Sequence, residues 1–404
     1  MKIVFFDFVI HYGGGPQLAA DTVVRLAAAP GVEIEVADAY GVCEPYLEKL
    51  RRAGVKVHVL LPEARDLWIG YHGNRWRRLV RLAGQVPAMW RLRRRLAEAV
   101  RRIGPEVIWS NSPKGSLVLG TIRALRGYPL VREYIGCRAA EAIPAWDRRL
   151  MRGRTAVVMA ISSETARQLG RAGVPAGKIE IVFDTIDFAE TLAKAAGPLE
   201  GPLPGMEKRP RLVTAGTLLG KKGQDTAIKA LGLLKAAGLD PTLWLAGDVV
   251  GPDEGYCRRL ERLVAEWNLR ENVHFLGWRH DVPAIMAQAD IVVHPSHEEG
   301  FGHVILEGML LRRPVVATPV GGIQDSIRDG ENGLLFSVGD AALLAAHIRR
   351  LHEAPEWAAR LAEAGYRTVT ERFAPERHTQ RVLAALARAV TCGPARCSAR
   401  SSDQ

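Results

Sequence analysis

The chain has 404 residues, 48% of them hydrophobic and 25% charged, with a formal net charge of +11. That length exceeds one ordinary core and suits two α/β domains, and no apolar run approaches the ~18 residues that a membrane helix needs. Five cysteines (43, 137, 257, 392 and 397) lie without metal-ligand spacing, a sparse odd set that fits a reducing compartment, so a cytoplasmic location is expected.

The first half alternates short apolar runs with helical patterns. Strands are expected at 2–8, 33–37, 56–61, 106–110, 129–133, 156–161 and 179–183, and helices near 16–28, 45–53, 88–103, 115–126, 139–151 and 163–172. Asp7 arrives too soon for a secretory leader, so the N-terminus reads as a buried first strand. Such alternation gives a parallel sheet covered on both faces. The prolines and glycines of 194–210 then break every periodicity and read as a linker. Beyond it, strands are expected at 211–215, 242–246, 273–276, 290–294, 314–317 and 333–336. Helices follow near 223–237, 254–267, 281–288, 303–311, 340–352, 355–370 and 376–390. The expected division is 1–193, a linker 194–210, a second domain 211–372, a C-terminal helix 373–390 and a disordered tail 391–404.

The most informative stretch is 295–307. An apolar strand precedes it, a helical pattern follows, and Glu299 and Glu307 bracket the turn Gly300-Phe301-Gly302. A strand, a glycine turn and a helix start bind anions through free backbone N–H groups and the positive helix end. Two acids beside a phosphate site suit a ligand that also carries hydroxyls, which suggests a nucleotide sugar. Earlier in the same half, the loop from Gly216 and Thr217 to Gly223 ends with Lys222, a cation placed to neutralise a diphosphate leaving group. Surface lysines would explain it too. Gly13, Gly14 and Gly15 follow the first strand, but a dinucleotide fingerprint needs glycine at position 18, which is Leu18. What remains is either a loop that lets backbone approach a ligand or a plain tight turn.

The second half resembles the retaining glycosyltransferases of family 4 (glycosyl transferases group 1). The loop Gly216 to Gly223, Ala246-Gly247-Asp248, the spacing Glu299 to Glu307, and the segments 319–325 and 330–336 carry the resemblance over roughly 211–340. It implies a GT-B fold, with two facing Rossmann-like, doubly wound domains, an interdomain cleft and a C-terminal helix. It also implies that Glu307 binds the nucleotide ribose, Glu299 the donor sugar and Lys222 the diphosphate. Backbone at Gly300, Phe301 and Gly302 would meet the distal phosphate. Gly216 and Thr217, with Gly14 and Gly15, would line the donor. Similar enzymes use no metal or cofactor and need no dedicated protein nucleophile. Thr217 stands where an arginine is usual, Asp184-Thr185-Ile186-Asp187 replaces the usual Asn-Gly-Val-Asp, and the histidines usual in the acceptor cleft are absent near 110–112 and 132–134, so the donor side carries more of the likeness than the acceptor side.

The expectation is a hexosyltransferase acting on a glycan or lipid-linked acceptor. The alternatives are a catalytically silent nucleotide-sugar binder or partner subunit, and a same-fold epimerase. Residues 74–102 hold ten arginines against the single acid Glu98, with Trp76 and Trp90 among them. This pattern reads either as a solvated helix face or as a dock for an anionic membrane surface, where each basic residue is worth about 1 kcal/mol. No recognition module accompanies it, so nucleic acid is not expected. His11, His294 and His303 are expected to be structural, and Trp278 and Arg279 could flank the base.

Overall fold

The computed structural model describes residues 1–11, 13–63, 75–249 and 254–396, with the backbone alone at 75–84, 254 and 394–396. The chain divides into two compact units, 1–182 with 378–404, and 183–377.

The first unit holds β1 (Lys2–Asp7), α1 (Gly14–Ala27), β2 (Glu33–Asp38), α2 (Glu44–Arg52), β3 (Lys56–Val59), α3 (Arg75–Ile103), β4 (Val107–Ser110), α4 (Pro113–Thr121), β5 (Leu130–Tyr134), α5 (Ala145–Gly153), β6 (Val157–Ala160), α6 (Ser163–Arg171) and β7 (Ile179–Ile181). All seven strands run parallel in the order β3-β2-β1-β4-β5-β6-β7. The period of two in β1 sends Ile3 and Phe5 into one core and Val4 and Phe6 into the other, so both faces are buried. Crossover connections keep the sheet parallel, and the strand order reverses between β1 and β4.

The second unit begins with α7 (Phe188–Ala195) and continues through β8 (Arg211–Ala215), α8 (Gln224–Ala236), β9 (Thr242–Ala246), α9 (Glu254–Glu266), β10 (Val273–Gly277), α10 (Val282–Gln288), β11 (Ile291–His294), α11 (His303–Leu310), β12 (Val315–Ala317), α12 (Ile323–Ser326), β13 (Leu334–Leu335), α13 (Ala341–Glu353) and α14 (Pro355–Arg372). Its parallel sheet has the order β10-β9-β8-β11-β12-β13, reversing between β8 and β11. The last helix, α15 (Pro375–Arg396), contributes Val382, Ala385, Leu386 and Ala389 to the core under β1 of the first unit.

Four expectations need correction. The segment 194–210 is not a free linker. Asp187 caps α7 by accepting from the Glu190 N–H at 2.9 Å, Glu200 N–H donates to Asp281 at 2.7 Å, and Trp244 Nε1 donates to the Pro204 carbonyl at 2.8 Å. The compact units meet in sequence at 182/183, ahead of the expected boundary, and the terminal helix belongs with the first unit from His378 onward. Helix α3 runs through Pro87, although a proline lacks the donor that would normally let a helix pass, and it starts at Arg75 instead of near 88. Pro144 delays the expected 139–151 helix, leaving a single 3-10 turn at Ala140–Ala142 before α5. Four of the ten arginines (75, 77, 78 and 81) and residues 397–404 of the expected tail lie outside the described side chains, while 391–396 continue α15 instead of opening a disordered tail.

Candidate functional site

In an open parallel sheet, ligands bind beyond the carboxyl ends of the strands where the order reverses. In the second unit that point lies between β8 and β11, and the two loops leaving these strands are 216–223 and 295–302. They touch one another directly. The Lys221 carbonyl accepts from the His297 N–H at 2.8 Å, and Gly223, at φ +66°, leaves no room for a Cβ against the Pro295 carbonyl. The next loops close in from either side. Gly216 N–H donates to Ala246 O at 2.9 Å, and Gly322 N–H donates to Gly300 O at 3.0 Å.

Glu299 sits in the middle of this convergence. Its Oε2 accepts from Lys222 Nζ at 2.6 Å and lies 3.1 Å from His294 Nε2, while its Oε1 accepts from the Gly300 N–H at 3.1 Å. The Ser296 hydroxyl lies 3.1 Å from the same His294 nitrogen. Burial alone would raise the Glu299 pKa, yet the His294 and Lys222 partners hold it well below the ordinary carboxylate range. The carboxylate is therefore a fixed, ionised acceptor. His294, expected to be structural, is part of this network; it ends β11 with its side chain 3% exposed and aimed at Glu299.

Helix α11 starts at His303 from a left-handed Gly302 (φ +91°). Among the described residues, the N–H groups of Phe301, Gly302, His303 and Val304 have no acceptor, so the helix presents open donors beside Lys222 and Glu299. The Phe301 side chain turns away, buried against Phe183 and Phe373 with ring centroids 6.2 and 5.5 Å apart. Glu307 follows His303 by four positions and so shares its helix face. Its carboxylate has no hydrogen bond among the described residues, and burial raises its pKa against the opposing pull of His303 and Lys194. His303 itself pairs with the buried Asp184 through Nε2 at 3.2 Å.

Of the expected donor residues, Glu299, Lys222, Gly300, Phe301, Gly302, Gly216 and Thr217 lie in the second unit at these loops, and Glu307 on α11 that follows them. Thr217 contributes its carbonyl, which accepts from Gln224 Nε2 at 3.0 Å. Gly14 and Gly15 lie in the first unit and form the opening turn of α1 instead of a free loop; Gln17 N–H donates to Gly13 O at 2.9 Å. Arg279 is committed to Asp281 by two hydrogen bonds of 2.7 and 2.6 Å, and Trp278 is exposed. At the first unit's own reversal point, burial and the neighbouring Asp38 push Asp7 up to about 7, against the pull of the Phe8 N–H and Asn111.

Residues 202–368 match the family described as glycosyl transferases group 1, and residues 46–190 match glycosyltransferase family 4, so the two together span about three quarters of the chain. The lipopolysaccharide core biosynthesis glycosyltransferase LpsE of Rhizobium meliloti is 34% identical over 178 residues, covering 44% of this chain and 50% of that protein. The alpha-D-kanosaminyltransferase of Streptomyces kanamyceticus is 31% identical over 234 residues, covering 56% and 58%. The chain thus matches half to three-fifths of the length of these relatives. Among solved structures, Anabaena HepE in complex with UDP superposes with a TM-score of 0.77 at 22% identity, covering 96% of this chain and 100% of that one, a likeness that shows the GT-B fold.

Proposed function

The chain belongs to the glycosyltransferases of family 4, and from the geometry of its second unit we propose that it moves a hexose from a nucleotide diphosphate sugar to a glycan or lipid-linked acceptor. The observation that carries this reading is the pairing, at one strand-order reversal, of a fixed ionised carboxylate with a cation and of open helix-start donors with an unpartnered carboxylate one turn on. Glu307 would accept from the ribose hydroxyls and Glu299 from the sugar hydroxyls. Lys222, with two N–H donors left after its bond to Glu299, would follow the charge that develops on the departing diphosphate. The amides of 301–304 would hold the phosphate between them.

Reaction with retention and without a metal is part of the proposal, as is a cytoplasmic site of action. Lys222 and the helix start would supply the positive charge that a bound cation otherwise gives. The relative named for lipopolysaccharide core biosynthesis, LpsE, supports a lipid-linked acceptor. Val86 and Trp90 add to that support, since both are more than half exposed one turn apart on α3 beside Arg91 and Arg94.

A thermal-shift screen against UDP, GDP, ADP and their sugars tests the donor, because a ligand of the native state raises Tm. A hit should then support transfer to an acceptor extract, with the product anomer read by NMR and the rate compared with and without chelator. Binding without turnover on any acceptor would favour the silent-binder alternative.

A further inference from the structure

The charges around α11 do not balance for an anionic ligand. Lys222 is already paired with Glu299, while Glu307 and Asp184 add two more acids on the same side. A sugar nucleotide brings two further negative charges on its diphosphate. A second cation is needed there, and the geometry supplies one candidate.

His303 lies between the two carboxylates assigned to the sugar and the ribose, four residues from each, and both act on its charge. The diphosphate is the part of the ligand that joins sugar to ribose, so the residue between their two acceptors faces it. The ring is tied at Nε2 to Asp184, whose carboxylate is buried and whose second oxygen has no partner. That bond fixes the ring and leaves Nδ1 to donate when the imidazole is charged. Resting on the donor-site reading above, we infer that protonated His303, oriented by Asp184, donates to the diphosphate and makes donor binding depend on pH.

The groups facing His303 agree on the direction of its titration. Burial lowers its pKa, but Asp184 from the loop after β7, Glu307 on α11 and Glu299 from the loop before α11 together raise it above the ordinary value. Lys194 and Glu190 on α7 act on Glu307 with opposite signs and pair with each other at 2.7 Å. Charge on His303 therefore persists to higher pH than on an ordinary imidazole and is lost as the pH rises through the raised value.

The test is calorimetric binding of UDP-glucose, GDP-mannose and ADP-glucose between pH 6 and 9. Both phosphates of a nucleotide sugar are diesters and have no second ionisation near pH 6, so any slope reports the protein. For whichever of these binds, wild-type affinity should fall about ten-fold across the range, in line with the weight of one hydrogen bond to a charged group. His303→Gln should bind about ten-fold more weakly at pH 6 with no slope. His303→Lys should restore affinity and stay flat, because lysine keeps its charge. Asp184→Asn should move the midpoint to lower pH while keeping the affinity at pH 6, and it carries the test if His303→Gln does not fold. Wild-type affinity and slope in His303→Gln, or an unmoved midpoint in Asp184→Asn, would overturn the inference and leave the donor site standing. If none of the three sugars binds the wild type, the donor-site reading falls and this inference with it.

Discussion

Gly321 offers a way to move Glu299 without touching its side chain. The residue has φ +54°, and a Cβ built there overlaps the Glu299 carbonyl oxygen, well inside the 3.0 Å that real Cβ atoms keep. Gly321→Ala therefore carries two costs. One is the left-handed backbone, about 1–2 kcal/mol for a residue with a side chain. The other is the overlap with backbone, which cannot swing aside as a side chain could, and which adds about 1–3 kcal/mol. Gly330 provides the control, since it also has positive φ (+76°) but nothing within 4 Å of its Cβ position. Gly330→Ala should carry the first cost alone.

Relieving the overlap pushes the 299–300 backbone outward by about 1 Å, and a shift of that size at a reacting centre costs on the order of 100-fold in rate. The bonds of Glu299 to Lys222 and His294, at 2.6 and 3.1 Å, have little slack for it. Urea unfolding at 25 °C should place Gly321→Ala about 1–3 kcal/mol below Gly330→Ala. Transfer from the nucleotide sugar should fall by about two orders of magnitude in the first variant and stay near wild type in the second. Equal stabilities together with equal activities would refute the claim that this close approach sets the position of Glu299.

Three other outcomes follow from the charges. Glu307→Gln removes a half-buried, unpartnered carboxylate, so it should stabilise the ligand-free protein at pH 7 by about 1 kcal/mol, a gain that disappears below the ordinary pKa of 4.5, while nucleotide-sugar affinity drops about ten-fold. Unchanged affinity by calorimetry would remove Glu307 from the ribose. Glu299 has a lowered pKa, so its stabilisation is present above 4.5 and fades as the pH falls toward the native value; the stability gap between wild type and Glu299→Gln should be flat from pH 5 to 8 at about 1–3 kcal/mol and narrow in acid. A gap that widens in acid would contradict the assigned direction. Arg93 and Arg95 hold the Thr121 and Leu60 carbonyls at 2.7 Å, whereas Arg94 meets the exposed Glu98 at 2.8 Å, so the membrane test belongs to Trp90, Arg91 and Arg94. Replacing the two arginines with Ser should weaken binding to anionic vesicles about 30-fold at low salt, at roughly 1 kcal/mol each, and sedimentation with the lipid unchanged would argue for a solvated helix face.

The strands were legible because burial on both faces leaves short apolar runs that few other structures produce. Glu299 and Lys222 could be paired in principle because each follows a strand flanking the reversal of order, a position that topology alone determines. The role of His294 was not legible. Strand alternation says which face a residue takes but not which carboxylate oxygen a five-residue loop will bring to its ring. The same limit hid the pairing of Asp184 with His303, residues 119 apart in sequence. Pro87 misled in the other direction, since a missing N–H argues for a helix end without requiring one. In 194–210, the prolines and glycines signal loss of periodicity, and nothing local reveals that Trp244 and Asp281 tie that segment down.

The two acids of the site are treated in opposite ways, and the difference bears on what each can do. Glu299 is fixed by a lysine, a histidine and an amide, so its orientation is set before any ligand arrives and its charge does not respond to moderate changes of pH. A group held this way can direct hydroxyls with little reorganisation, which is where preorganised electrostatics contribute to rate. Glu307 has no such hydrogen bonds and bears the desolvation of its surroundings, so in the proposed reading the ligand would add to the pull of His303 and Lys194 on its charge. Binding energy gained at Glu307 is available in the ground state as well as the transition state, and it should appear chiefly in KM. In the proposed reading Lys222 would follow the negative charge that develops on the leaving diphosphate and Glu299 the positive charge that develops on the sugar, so both should appear in kcat. Substitution at the two positions should therefore separate into these two kinetic classes, and a Glu307 variant that lost kcat with KM unchanged would mean that the division of labour between the carboxylates runs the other way.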